Sequence, residues 1–181
     1  GSKDFVAPGD RIAVFDNDGT LWLEYPLYTQ VRFVFDRIRV LAPKHPEWQS
    51  KEPFKSVIAG DLKGAMASGE KGLIELLLAA QSGTTTEEFE VLSKQWIEAS
   101  KDDRFKRPYT QLTYQPMQEL LVYLRANGFK TFIVSGGSVE FMRGFTDAVY
   151  GIPNEQVIGT RQKLAFEVKD GPPRVMMLPQ I

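Results

Sequence analysis

The chain has 181 residues, 43% hydrophobic and 25% charged, and its 22 basic and 23 acidic residues leave a net charge of −1. That is a globular composition, with apolar residues enough for a sizeable core and a length suited to one or two domains. It carries no basic excess for nucleic acid or an anionic membrane and no apolar run near the roughly 18 residues that span a bilayer. Its lack of Cys removes disulfides, thiolate chemistry and Cys-based metal sites. The opening GSKDFVAPGD has no signal-peptide core. The expectation is a soluble protein, and the missing Cys fits cytoplasm and periplasm alike.

Taken in chain order, IAVFD (12–16) is the first strand candidate. It is a continuous apolar run, which suits a strand buried on both faces of a parallel sheet. PLYTQVRFVFDRIRVLA (26–42) predicts a helix with Pro26 at N1 and Leu27, Val31, Val34, Phe35, Ile38 and Leu41 on one face. The two prolines of APKHPEW break it. Short helices are expected over 53–60 and 61–68, and longer ones over 70–81 and 82–101. Thr85 with Glu88 forms a capping box for the last of these. A helix follows over 116–127, stopped by Asn127-Gly128. KTFIVSGGS (130–138) is a second buried strand, 138–150 a helix, and Val157-Ile158 mark a third strand. The alternating runs on either side of Asp-Gly-Pro-Pro predict a β-hairpin at the end.

Strands alternate with helices at the two ends, and a helical block interrupts them after the first strand. The fold class expected is α/β, a Rossmann-like parallel sheet core over 1–21 and 107–181 with an inserted all-helical cap over 22–106.

In open α/β sheets, ligands bind beyond the carboxyl ends of the strands. Two candidate strands end in polar, glycine-containing loops, DNDGT and SGGS. On an extended loop Asp16 and Asp18 point to different sides, so one can act as nucleophile or metal ligand while the other moves a proton. Thr20 and Ser135 add hydroxyls, and Gly136 and Gly137 at a helix start expose N–H groups suited to an anion. Carboxylates bind hard cations such as Mg2+. Covalent catalysis by a carboxylate on a phosphate fits this set. A calcium loop does not: with Gly19 at its sixth position, Val14 and Tyr25 would stand where acids belong. Taken alone, DNDGT also reads as a polar turn, and SGGS as an ordinary βα loop.

FDNDGTL resembles motif I, DxDGT, of the haloacid dehalogenase superfamily, and IVSGGS resembles its motif II. The helical block between them is similar to the cap of the phosphoserine phosphatase-like branch. The resemblance implies that Asp16 attacks phosphorus and that Asp18 serves as general acid and then base. It implies that Asp16 and Asp18 (the latter through its backbone carbonyl) bind Mg2+, and that Asn17, Thr20, Ser135 and Gly136 are the substrate and phosphate contacts. An acid at position 18 separates phosphate-ester chemistry from dehalogenation, whose leaving group needs no proton. The cap implies a small-molecule phosphate ester that it closes over.

The same resemblance implies two further motifs downstream: a Lys or Arg that steadies the aspartate–phosphate pair, and an acidic pair completing the metal site. After Ser135 the acids are Glu140, Asp147, Glu155, Glu167 and Asp170, and none follows a buried strand in the expected setting. Lys163, Lys169 and Asp170 fall on the predicted hairpin. The chain therefore reads as the N-terminal portion of a longer enzyme. The lone His45, the cap arginines Arg32, Arg37 and Arg39, and Lys71 in a glycine-flanked loop are read mainly as surface groups; Trp22, Glu24 and Tyr25 are read as hinge or substrate contacts. The function expected is a Mg2+-dependent phosphatase working through an aspartyl-phosphate. The alternatives are a phosphomutase or phosphotransferase with the same nucleophile, and a non-catalytic binding domain.

Overall fold

A computed structural model of the chain describes residues 2–168 and 171–181. Strand β1 (Ile12–Phe15) is followed by helices α1 (Thr29–Leu41), α2 (Phe54–Ala59), α3 (Leu62–Ala67), α4 (Gly69–Gln81) and α5 (Thr86–Ala99). Helix α6 (Gln115–Ala126) leads into β2 (Lys130–Ser138), and α7 (Val139–Arg143) with α8 (Thr146–Tyr150) leads into β3 (Val157–Thr160). Strands β4 (Leu164–Glu167) and β5 (Arg174–Met177) close the order as an antiparallel pair. The chain divides into two compact units, Gly1–Pro26 with Glu90–Thr160 and Leu27–Phe89 with Arg161–Ile181.

The first unit is built on a parallel sheet in the order β1-β2-β3. Phe15 lies opposite Ile133, and Ile133 opposite Val157. Both crossovers step the same way across the sheet, so right-handed connections place α6 and α7–α8 on one face. Phe15, Thr131, Ile133 and Val157 are buried on that face. Arg125 ties the layer together: its Nη1 donates to the Tyr150 carbonyl at 3.0 Å and approaches Thr131 Oγ1 at 3.5 Å. An aromatic cluster fills the space above the sheet, with Trp22 stacked on Phe145 at 4.6 Å and Phe145 edge-on to Phe141 and Tyr150.

The expectation of strands buried on both faces fails. Ile12, Val14, Val134 and Ile158 project from the other face and are 57%, 57%, 44% and 52% exposed. The apolar run in the sequence is real, but among the described residues only one face has helices laid over it.

In the second unit, α1 packs on α2 and α4 and buries Phe33, Val34, Phe35 and Ile38; Phe33 meets Phe89 edge-on at 5.5 Å. The capping box forms at the head of α5: the Glu88 amide donates to Thr85 Oγ1 at 3.1 Å and the Thr85 amide to Glu88 Oε2 at 2.9 Å. Three expectations need correction. Helix α1 starts at Thr29, after an extended Tyr28 with ψ 135°, so Pro26 is not its N1 residue. The predicted helix over 138–150 is two short helices parted at Gly144, where a Cβ would lie 2.9 Å from the Lys94 amide nitrogen. The unit containing most of the predicted cap is not all-helical. The hairpin joins it, because Met177 N donates to Thr84 O at 3.0 Å and Gly83 N to Met177 O at 3.1 Å. In turn, residues 90–106 of the predicted cap fall in the first unit. The turn residues Lys169 and Asp170 lie outside the described residues.

The register makes a stability contrast between neighbours on β2. Ile133→Ala, at a fully buried position, is expected to cost about 2–5 kcal/mol in urea unfolding. Val134→Ala, on the open face, is expected to change stability by no more than about 0.5 kcal/mol.

Candidate active site

The strand alternation of β1 continues past its last residue. Phe15 faces the core, Asp16 is exposed, Asn17 is buried and Asp18 is part-buried. A tight turn then reverses the chain around the Asn17 carbonyl, which accepts the amides of Thr20, Leu21 and Trp22 at 3.2, 2.8 and 3.4 Å. Gly19 supplies the left-handed residue this turn needs, with φ 71°. A Cβ there would also lie 2.7 Å from the Glu24 carboxyl group, which folds back over the turn. The Gly19 amide donates to the Trp22 carbonyl at 2.9 Å. Beyond the turn, Leu23 N donates to Leu112 O and Tyr114 N to Leu21 O, which fixes the segment to the chain ahead of α6.

The two aspartates occupy unlike surroundings. Asp16 Oδ1 accepts the Asn17 amide at 2.8 Å, and the residue faces solvent. Asp18 Oδ1 accepts the Trp22 indole Nε1–H at 2.8 Å. Burial raises the Asp18 carboxyl above the usual carboxylate range; the Trp22 hydrogen bond opposes this, and the nearby charges of Asp16 and Glu24 add to it. Beneath them, burial pushes the Tyr150 phenol well above its ordinary value, with the Asp18 charge adding to the effect.

Asn17, expected among the substrate and phosphate contacts, turns its side chain into the interior. It is 2% exposed, and its Oδ1 accepts the Tyr150 hydroxyl at 3.2 Å in the interior. Its side chain anchors the loop to the core instead. The sequence holds no local sign of this, since the partner is 133 residues away.

Ser135 lies at the same end of the sheet. Asp16 follows the last residue of β1, and Ser135 stands in β2 two residues past Ile133, the register partner of Phe15, so the two lie toward the carboxyl ends of adjacent strands. The expected glycine cradle at a helix start takes a different form. Strand β2 runs through Ser138 and α7 begins at Val139, so Gly136 and Gly137 are part of the strand. The Gly137 amide donates to Ser135 Oγ at 3.2 Å, and Thr160 Oγ1 donates to the exposed Gly136 carbonyl at 2.9 Å. Gly159 on β3 is a residue that motif reading passed over. A Cβ there would lie 2.7 Å from Met142 Cε and closer still to the Gly137 carbonyl, so a side chain would push this loop outward.

The remaining candidates are accounted for one by one. His45 stacks on Trp48 at 4.0 Å and shares a 3.0 Å hydrogen bond with Glu47. Arg39 donates to Asp36 and to the Val57 carbonyl. Partial burial lowers the Arg37 guanidinium from its ordinary value. Lys71 stands in the first turn of α4 rather than in a loop. Tyr25 is 70% exposed. Glu167 pairs with Arg174 across the hairpin. Among the described residues, no group of three acidic, His or Cys side chains is placed to hold a metal ion.

Replacing Tyr150 with Phe removes the donor to a buried amide oxygen while keeping the ring. It is expected to cost about 1–3 kcal/mol in urea unfolding; no change would show that the Asn17 anchor is dispensable.

No curated protein matches the chain. Among solved structures, a conserved functionally unknown protein from Anaerococcus prevotii DSM 20548 is 15% identical, with a TM-score of 0.58 over 98% of this chain and 66% of its own. A phosphoserine phosphohydrolase-like protein from Francisella tularensis subsp. tularensis SCHU S4 is 19% identical, with a TM-score of 0.44 over 86% of this chain and 60% of its own. The chain thus spans about two thirds or less of the length of either protein. The former similarity supports the α/β fold. No helix among the described residues is long and apolar enough to cross a membrane. The family model for haloacid dehalogenase-like hydrolases matches residues 13–176, from the first strand to the hairpin. The chain belongs to the haloacid dehalogenase-like hydrolase family.

Proposed function

We propose that the chain carries the nucleophile and the proton donor of a phosphatase acting on a small phosphomonoester. The observation that supports this most directly is the contrast between its two aspartates: Asp16 is exposed at the strand end, and Asp18 is part-buried with a raised carboxyl. A nucleophile must be reachable, and a carboxyl raised from its ordinary value is the better suited of the two to give up a proton as a general acid. In the first step an Asp16 carboxylate oxygen bonds to phosphorus and the ester P–O bond breaks. Asp18 gives its proton to the departing oxygen, which leaves as an alcohol. In the second step Asp18 takes a proton from water, the water oxygen bonds to phosphorus, and the Asp16–phosphorus bond breaks. The sum is ester plus water giving alcohol plus phosphate, with both aspartates returned to their starting states. Ser135 and the Gly136 amide are assigned to the phosphate oxygens, and the helical residues 27–89, inserted between β1 and β2, to substrate choice.

The donor set is of hard oxygens, which suits Mg2+. Asp16 and the Asp18 carbonyl would hold it, and a bound ion neutralises phosphate charge. Among the described residues no group of three or more acidic, His or Cys side chains is placed to hold a metal ion. That favours one second reading, a phosphate-binding domain without turnover. A phosphomutase or phosphotransferase using the same nucleophile differs only in what accepts the phosphoryl group.

Phosphate release from p-nitrophenyl phosphate with Mg2+ separates these readings. The phosphatase reading expects turnover that EDTA abolishes and that Asp16→Asn lowers by at least about a thousandfold. Phosphate binding without turnover favours the binding domain, and phosphoryl transfer without free phosphate favours the transferase.

A further inference from the structure

We infer that Trp22 is a positioning residue for the proton-transfer step, holding Oδ1 of Asp18 so that the acid presents its proton from Oδ2. The inference rests on the phosphatase reading and adds to it the part that orients the acid.

The indole Nε1–H donates to Asp18 Oδ1 at 2.8 Å. Indole nitrogen is a donor only. A carboxylic acid proton on Oδ1 would meet that N–H head-on, so Oδ1 remains an acceptor and the acid's proton resides on Oδ2. The donor is also immobile. Trp22 is 1% exposed and stacks on Phe145 at 4.6 Å with 20° between the ring planes. Its backbone is bridged to Thr113, and its carbonyl accepts the Gly19 amide at 2.9 Å. The aromatic core of the first unit therefore fixes one oxygen of Asp18, although the aspartate sits on a loop with a part-exposed side chain. An acid held in one rotamer pays less to reach the leaving oxygen, and a misplacement of about 1 Å costs on the order of a hundredfold in rate.

A general acid matters in proportion to how poor the leaving group is. An alkyl alkoxide needs a proton as it departs, whereas p-nitrophenolate leaves without one. The test compares Trp22→Phe, which keeps a buried ring and loses only the N–H donor, with the unaltered chain on an alkyl phosphate and on p-nitrophenyl phosphate. The expected result is a loss of about a hundredfold in the single-turnover rate of alcohol release from the alkyl ester and of less than about threefold in p-nitrophenol release from the aryl ester, since the later hydrolysis step is common to both. Leu121→Ala, which opens a fully buried position on α6, is the folding control and is expected to lower both rates equally. Equal losses on the two esters in Trp22→Phe, or no loss on the alkyl ester, overturn the inference and leave the phosphatase reading standing. If the unaltered chain turns over neither ester, the phosphatase reading falls and takes the inference with it. A readout independent of turnover is the Trp22 indole N–H resonance, identified by its disappearance in Trp22→Phe. It is expected to move upfield in Asp18→Ala, which removes the oxygen that accepts the indole N–H; an unmoved resonance also overturns the inference.

Discussion

The pleat of β1 is the constraint on which the rest depends. Side chains alternate across a strand, and the alternation runs on through 15–18, so Phe15 and Asn17 turn inward while Asp16 and Asp18 are set apart from the core. Two carboxylates end up beside a hydrophobic interior without being buried in it. The backbone carbonyl of the residue between them gathers three amides of the following turn, and its side chain has to be polar because it meets the Tyr150 hydroxyl. An apolar residue there would leave that hydroxyl without its acceptor in the interior, and an unmade buried hydrogen bond costs more than a made one contributes.

Local signals in the sequence were legible where a short segment decides its own structure. The Thr85–Glu88 capping box forms with both hydrogen bonds, and β2 takes the expected span of 130–138. The antiparallel hairpin likewise appears on both sides of its turn. Signals that depend on distant chain were not legible. An apolar run cannot say whether one sheet face or two will be covered, so Val14 and Val134 read like Phe15 and Ile133 although the structure exposes the former pair. Gly144 looks like an ordinary helix interruption, and its need for a bare backbone comes from Lys94 and Ser93, about fifty residues earlier in the chain. The hairpin's membership of the second unit follows from backbone hydrogen bonds at Gly83 and Thr84, which have no sequence signature.

The candidate site divides in the same way. The spacing of Asp16 and Asp18 after an apolar strand was enough to single them out, because that pattern places acids where ligands bind in α/β sheets. What distinguishes the two aspartates was not in the spacing. Trp22 reaches Asp18 four residues back through a turn rather than a helix, and an aromatic residue at that offset reads as core until the indole N–H is placed. Gly136 and Gly137 suggested a helix N-terminus, but the strand continues through them. Thr160 and the bare Gly159 on the neighbouring strand, rather than the helix, define the backbone that would meet an anion.

Segment 16–24 concentrates features that stability alone does not favour. Three carboxylates, those of Asp16, Asp18 and Glu24, lie close enough for the outer two to act on Asp18, and like charges brought together in a partly buried setting destabilise the folded chain. The turn needs a left-handed residue and has Glu24 folded against it, so no side chain fits at Gly19. Like charges gathered around one turn at the end of a strand are a physical mark of a segment shaped for chemistry rather than for stability. That reading depends on the charges and strain in this segment and not on family membership. The loop is tied to Tyr150, Trp22 and the segment ahead of α6: without those anchors, repulsion among the carboxylates would open the turn, and the two aspartates would lose the separate environments on which the proposed division of roles rests.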